Sequence, residues 1–254
     1  MHRVAAIIPA RFDSTRFPGK PLATLKGKII IQHVYEQASA ANLIDTVIVA
    51  TDDERIFKAV KGFGGKVVMT SDTHLSGTDR IAEAAESIEC EYVINIQGDE
   101  PFIRPEMIDD VVKLLYNDDK VEISTLAKKI DSNEELLSPN VVKVVVDDEG
   151  FALYFSRSPI PFYREDWQDL EHICLKQGDT VVLKHIGIYG FQKSTLKKFT
   201  SIPKSGLENI EKLEQLRALT AGMKIKVKET EFETFGIDTK EDLRKAEEWQ
   251  SISL

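Results

Sequence analysis

Short apolar runs alternate with helically spaced segments through the first hundred residues, and this alternation restricts the fold more than any other feature. Val4–Ile8, Val47–Ala50, Lys66–Met69 and Tyr92–Ile96 read as strands. Between the first two, Ile29, Ile30, Ile31, Val34, Tyr35, Ala38 and Ala41 recur at helical spacing, and Glu54–Lys61, Thr78–Ile88 and Pro105–Tyr116 read as further helices. Such repetition gives right-handed crossovers and a mostly parallel sheet covered on both faces. Ligands of these sheets sit outside the carboxyl ends of the strands. The segments after Ile8, Ala50, Met69 and Ile96 are therefore candidate site loops.

The second half is more mixed. Val141–Val146, Ala152–Phe155 and Lys184–Phe191 read as strands, several of them antiparallel, and Lys193–Phe199, Leu207–Ala221 and Lys240–Trp249 as helices. Tyr163–Asp179 mixes charge and aromatics without a period and reads as an exposed loop. A chain of 254 residues suffices for one well-filled core, and no repeat or linker divides it. The expectation is one α/β domain with a mixed α+β C-terminal elaboration.

The net charge of −9 argues against a nucleic-acid or anionic-membrane partner, both of which reward clustered Lys and Arg. No stretch approaches the ~18 apolar residues that cross a bilayer, and the N-terminal run before Pro9 is too short for a secretory signal. Cys90 and Cys174 lack metal-type spacing and read as reduced thiols of a cytoplasmic protein.

In an acidic chain, local basic clusters are informative. IIPARFDSTRFPGKPL, residues 7–22, places Arg11, Ser14, Thr15, Arg16, Gly19 and Lys20 after the first strand. Its backbone N–H groups can cradle phosphate oxygens while Arg11 and Lys20 neutralise them. It is not a Walker A loop, and a solvated basic loop is the alternative. Asn95–Pro101 sets Asp99 and Glu100 beside Gly98 at another strand end, where a carboxylate can hold magnesium on phosphates or simply cap a turn.

Other loops share this rim. Thr51, Asp52 and Asp53 follow the second strand, and Ser76, Gly77 and Thr78 offer small donors for a base or ribose. Arg80 can face an anionic ligand, whereas Asp52 and Asp79 equally suit helix N-termini. Asp238 in Phe235–Thr239 fits a metal ligand or a helix cap boxed with Glu241. His185, Tyr189 and Arg157 lie in or near strands, where structural roles are common. Glu208, Glu211 and Gln215 share a polar helix side that is ordinarily solvated.

Taken together these residues resemble the 3-deoxy-manno-octulosonate cytidylyltransferase family. The likeness runs nearly end to end, through residues 7–22, ATDD at 50–53, SGTDR at 76–80, INIQGDEP at 94–101, PNVVKVVVDDEGFALYFSRSPIP at 139–161, KHIGIYGF at 184–191, ENIEKLEQLRAL at 208–219 and GIDTKEDL at 236–243. Phe12 and Phe17 stand where many relatives carry Tyr and Leu.

The resemblance implies a Rossmann-like sheet of the nucleotide-diphospho-sugar transferase type. It implies CTP and the eight-carbon acid sugar Kdo as substrates, with CMP-Kdo and pyrophosphate as products for lipopolysaccharide synthesis. An 8-amino form of Kdo, or another acid sugar, is the alternative acceptor. Residues 1–125 mainly bind the nucleotide and 126–254 the sugar, the latter also forming a homodimer. Arg11, Lys20 and Asp99 are implied as catalytic, and Arg11, Ser14, Lys20, Thr51, Ser76 and Gly77 as nucleotide-binding. Arg80, Gln97, His185, Tyr189, Glu211 and Gln215 lie on the sugar side, and Asp99 and Asp238 hold Mg2+.

Overall fold

The computed structural model describes residues 3–13, 16–167, 173–175 and 181–249. In chain order its elements begin β1 (Val4–Ala10), β2 (Thr24–Leu25), β3 (Lys28–Ile29), α1 (Ile30–Ala40), β4 (Thr46–Thr51), α2 (Glu54–Gly62), β5 (Val67–Met69), α3 (Gly77–Glu86), β6 (Tyr92–Asn95) and α4 (Pro105–Asn117). The second half contributes β7 (Ile123–Lys129), α5 (Asn133–Leu137), β8 (Lys143–Val146), β9 (Ala152–Ser156), β10 (Leu183–Gln192), α6 (Lys193–Ser201), α7 (Gly206–Glu211), α8 (Gln215–Thr220), β11 (Ile225–Glu229) and α9 (Lys240–Glu248).

One sheet runs in the order β11-β7-β10-β6-β1-β4-β5, and β8 carries β9 beside β10. β5, β4, β1 and β6 are mutually parallel, as are β7 and β11, while β10 runs antiparallel to both β6 and β7. The pleat of β1 sorts its residues between two cores. Val4, Ala6 and Ile8 pack with α1, α2 and α4, through Ile31, Val34, Ile56 and Met107. Ala5 and Ile7 pack with α3, α6 and α8, through Ile81, Phe199 and Leu216. Both faces are thus covered, as an apolar parallel strand requires.

A smaller cluster positions the site. Phe17, Leu25 and Ile30 pack against Phe102, Ile237 and Ala246, joining the opening loop to the segment before α9. Ile237 N donates to Asp99 O at 2.8 Å, which ties that segment to the loop after β6.

Several expectations are corrected. Leu207–Ala221 is two helices, because Lys212 adopts φ 54°, a left-handed conformation that ends α7. Asp238 follows an irregular segment and not a strand end. The Tyr163–Asp179 loop is only partly within the described residues, and its described part is anchored. Trp167 is buried against Ile130, Leu136 and Val182, and its Nε1–H donates to Cys174 O at 2.7 Å. β7 and β11 were not expected at all. Among the described residues no helix is long and apolar enough to cross a membrane.

Candidate functional site

A cleft of about 270 Å3 opens at the carboxyl ends of β1 and β6, lined by Arg11, Lys20, Ser76, Gly77, Gln97 and Asp99 among others. Gly19 adopts φ 73° with the Phe12 ring 3.1 Å from where a Cβ would stand, which suits only glycine. A Cβ on Gly98 would fall 2.8 Å from Pro9 O, so the loop after β6 approaches β1 as closely as it does because residue 98 lacks one. A larger groove of about 750 Å3 lies elsewhere, between α3 and α6. It shares none of the converging site residues, and we place the site at the strand ends.

Lys20 is the hub of the cleft. Its Nζ donates to Asp99 Oδ2 at 2.5 Å and to Asp238 Oδ1 at 3.0 Å, two carboxylates brought together from distant loops. Burial alone would lower the Lys20 pKa, but Asp99 and Asp238 outweigh it and hold the ammonium charged. Arg16 Nη2 reaches Asp238 Oδ2 at 3.0 Å, giving that side chain a place the sequence left open. Beside them Glu100 receives the Thr234 hydroxyl; burial, then the neighbouring Asp99 and Asp238 charges, push its carboxyl up to about 7. The alternative of a capping Asp238 is removed, since Thr239 caps α9 and boxes with Asp242.

Magnesium chemistry fits this donor set. Two hard carboxylates converge on one cationic point, and Mg2+ is ordinarily held by one or two carboxylates plus substrate phosphates. Among the described residues no three His, Cys, Asp or Glu side chains form a ready cage. The remaining ligands would come from substrate and water.

One side of the cleft is built on backbone contacts and a helix cap. Arg11 donates to the carbonyls of His74 and Ser76, fixing the 71–76 loop over the cleft. Burial, and then the Arg80 charge, lower its pKa. Ser76 caps α3 by accepting from Asp79 N at 3.1 Å, while its residue faces the cleft with Gly77. Thr51 is fully buried at the end of β4, where its hydroxyl accepts from Asp53 N at 3.2 Å. It does not line the cleft. Arg80 is also fully buried, bound to Thr70 and Asp52, with Nε unpartnered among the described residues. Ser14 lies outside the described residues.

The other side comes from β10 and the α7–α8 corner. Tyr189 pairs with Asn95 across the strands, and Gln97 Cγ lies 3.8 Å from where a Cβ on Gly187 would stand, so β10 passes Gln97 between His185 and Tyr189. Burial pushes the His185 pKa down to about 3 and the Tyr189 pKa upward. Glu211 accepts from Ser156 Oγ at 2.7 Å and Arg157 N at 3.0 Å, which anchors α7 to the end of β9. Gln215 is buried at the start of α8 near Tyr189.

Glu214 was not singled out in the sequence. It receives the Thr78 hydroxyl and an Arg217 contact at 3.3 Å, with its pKa raised by burial. It joins the start of α3 to α8 at the junction of the two sides. Its only local signal is a polar position on a helix, shared with many solvated residues.

The whole chain resembles known proteins. The sequence profile described as cytidylyltransferase matches residues 5–225. A 3-deoxy-manno-octulosonate cytidylyltransferase of Thermodesulfovibrio yellowstonii is 55% identical over 249 residues, covering 95% of each chain. One of Geobacter sulfurreducens is 52% identical over 242 residues, covering 95% of this chain and 97% of its own. A solved CMP:2-keto-3-deoxy-manno-octonic acid synthetase, complexed with CTP, superposes with a TM-score of 0.88 at 41% identity over 97% of both chains. A cytidylyltransferase structure from Leptospira borgpetersenii, 20% identical with a TM-score of 0.62 over 97% of this chain and 86% of its own, shares the fold. This chain belongs to the cytidylyltransferase family, among its 3-deoxy-manno-octulosonate cytidylyltransferases.

Proposed function

We propose that the protein transfers a cytidylyl group from CTP to Kdo, giving CMP-Kdo and pyrophosphate, the activation step for lipopolysaccharide synthesis. The observation that carries this is the Lys20 hub, where one ammonium and two carboxylates converge at the strand ends under Arg11. An anomeric hydroxyl attacking the α-phosphorus needs alignment and charge stabilisation, with no covalent step on the protein. Arg11 and Lys20 are placed to neutralise the phosphates as charge moves onto the leaving pyrophosphate. Asp99 and Asp238 are the residues to hold Mg2+, which when bound supplies charge neutralisation and a fixed geometry for the phosphates.

Ser76 and Gly77 line the same cleft and suit the cytosine and ribose. Gln97, His185, Tyr189, Glu211 and Gln215 stand toward the sugar. Arg80 is the exception in that group. While it is bound to Asp52 it supports the loop behind Arg11, and reaching a sugar carboxylate requires that pair to open.

A cytoplasmic setting follows from soluble nucleotide and sugar substrates. A homodimer through the second half is supported by Leu153, Leu207 and Ile210, all exposed there. The deciding assay follows pyrophosphate release from CTP. Release is expected only with Kdo and a magnesium salt together. A folded protein that releases none under those conditions would overturn the reading, and a panel with 8-amino-Kdo and nine-carbon acid sugars ranks acceptors by kcat/KM.

A further inference from the structure

β10 is irregular where it passes the site. Its pairing with β7 steps from Ile186–Leu126 to Tyr189–Thr125, so Gly187 and Ile188 are additional residues on one strand. The bulge falls between His185 and Tyr189.

Thr125, fully buried on β7, faces this bulge. Its Oγ1 lies 2.7 Å from Ile188 O, 3.2 Å from Ile186 O and 2.9 Å from His185 Nε2. A hydroxyl carries a single proton, and the two carbonyls can only accept it. Toward His185 the oxygen is therefore left as an acceptor, and Nε2 must carry hydrogen. Burial keeps the ring neutral, which places the lone pair on Nδ1. Nδ1 has no hydrogen-bond partner among the described residues, and it is not among their buried unsatisfied atoms. Phe155 and Tyr189 hold the ring, with centroids 5.0 and 5.3 Å away.

We infer that Thr125 is a positioning residue: its hydroxyl pins the two-residue bulge of β10 and fixes His185 as the Nε2–H tautomer, which presents Nδ1 as an acceptor for a sugar hydroxyl. The last step rests on the proposed sugar-side placing of His185. Val in place of Thr125 would fill the same space and keep the strand preference, yet leave Ile188 O and His185 Nε2 without a partner. The chemistry of the site explains why a buried strand spends a hydroxyl there.

The test uses full-length protein labelled with 15N-histidine and long-range 1H–15N correlation, the His185 signal being identified by its loss in His185→Gln. The parent is expected to show a protonated Nε2 and an unprotonated Nδ1 at pH 7.5; the reverse pattern overturns the inference. Thr125→Val is expected to shift that pattern and to raise KM for the acid sugar about tenfold, the effect of one lost neutral hydrogen bond, with KM for CTP unchanged. Thr125→Ser should restore both. Equal rises in both KM values with the tautomer unaltered would show a merely structural threonine and also overturn it. Where Thr125→Val does not fold, the parent spectrum and Thr125→Ser decide. A tautomer that shifts as expected with an unchanged sugar KM would retain the Thr125–His185 coupling and remove His185 from the sugar side.

Discussion

Lys20 and Arg217 each hold two carboxylates, but their surroundings differ. Lys20 draws Asp99 and Asp238 from separate loops, and those side chains are 28% and 46% exposed. Arg217 holds Glu208 through two bonds, at 2.9 and 2.8 Å, with side chains 5% and 8% exposed, and Glu214 at 3.3 Å. Glu208 also closes the capping box of α7, and the Arg217 guanidinium lies 4.9 Å from the Phe199 ring. Burial alone would lower the Arg217 pKa, and its carboxylate partners raise it on balance.

A buried pair with its donors satisfied is strongly destabilising to break, because the survivor is left charged and dry. A pair whose carboxylates are partly open to solvent can exchange partners with water, phosphate or metal at smaller cost. The same residue types therefore make a rivet in one place and a binding site in the other, and the comparison predicts opposite responses to mutation.

The sharpest response is expected from Asp99→Asn. Removing a ligand charge should cut kcat about 10³-fold, the several kcal/mol a bound metal supplies to charge stabilisation. The melting temperature should move by only about 2 °C, since the partly exposed side chain carries little of the fold and Lys20 keeps Asp238 as a partner. Pyrophosphate release and thermal unfolding measure the two effects; a parent-like rate at saturating magnesium contradicts the metal role.

Arg217→Met should invert the pattern. Stranding Glu208 and Glu214 is expected to cost about 3 kcal/mol or more, lowering the melting temperature by about 6–12 °C. The turnover of the folded protein at 20 °C should fall far less than in Asp99→Asn. An unchanged melting temperature would erase the distinction between the clusters.

His185 extends the contrast to pH. Its folded pKa of about 3 lies below the ordinary 6.5, so between these values the unfolded chain holds a proton that the folded chain does not. Stability is then full above about pH 6.5 and declines as pH falls toward 3, by at most about 1.4 kcal/mol per pH unit. Denaturant unfolding at pH 7.5, 6 and 5 should show this slope in the parent and a shallower one in His185→Asn. Equal slopes in both proteins would show that His185 is not held neutral.

How much of this was legible in the sequence follows from where polarity is buried. β1, β4, β5 and β6 stand out because their apolar runs face cores on both sides, and the loops after them were expected to form the rim. β7 was invisible, since Ser124 and Thr125 are fully buried with their hydroxyls on Val111 O and Ile188 O, a use that hydropathy cannot register. The break at Lys212 carried no glycine or asparagine to announce it. Arg11, Lys20 and Asp99 were readable as strand-end residues and Gln97 only through the family resemblance, whereas the pairing of Lys20 with Asp238 spans 218 positions and appears only in the fold. Arg80 looked outward by sequence position, yet its guanidinium is spent on Asp52 and Thr70.

The smallest effect tests the contrast within one cluster. Asp238 is shared by Lys20, whose side chain is 11% exposed, and by Arg16, whose side chain is 63% exposed. An exposed pair contributes about 0–1 kcal/mol and is screened at high salt, while the more buried ammonium keeps more of its attraction. Double-mutant cycles pairing Arg16→Met and Lys20→Met in turn with Asp238→Asn separate the two contacts. The Lys20 coupling should be the larger and should survive 0.5 M salt, whereas the Arg16 coupling should fall to within error. Equal couplings would mean that exposure does not govern how Asp238 divides its charge, and the distinction between an open and a closed cluster would then need another physical basis.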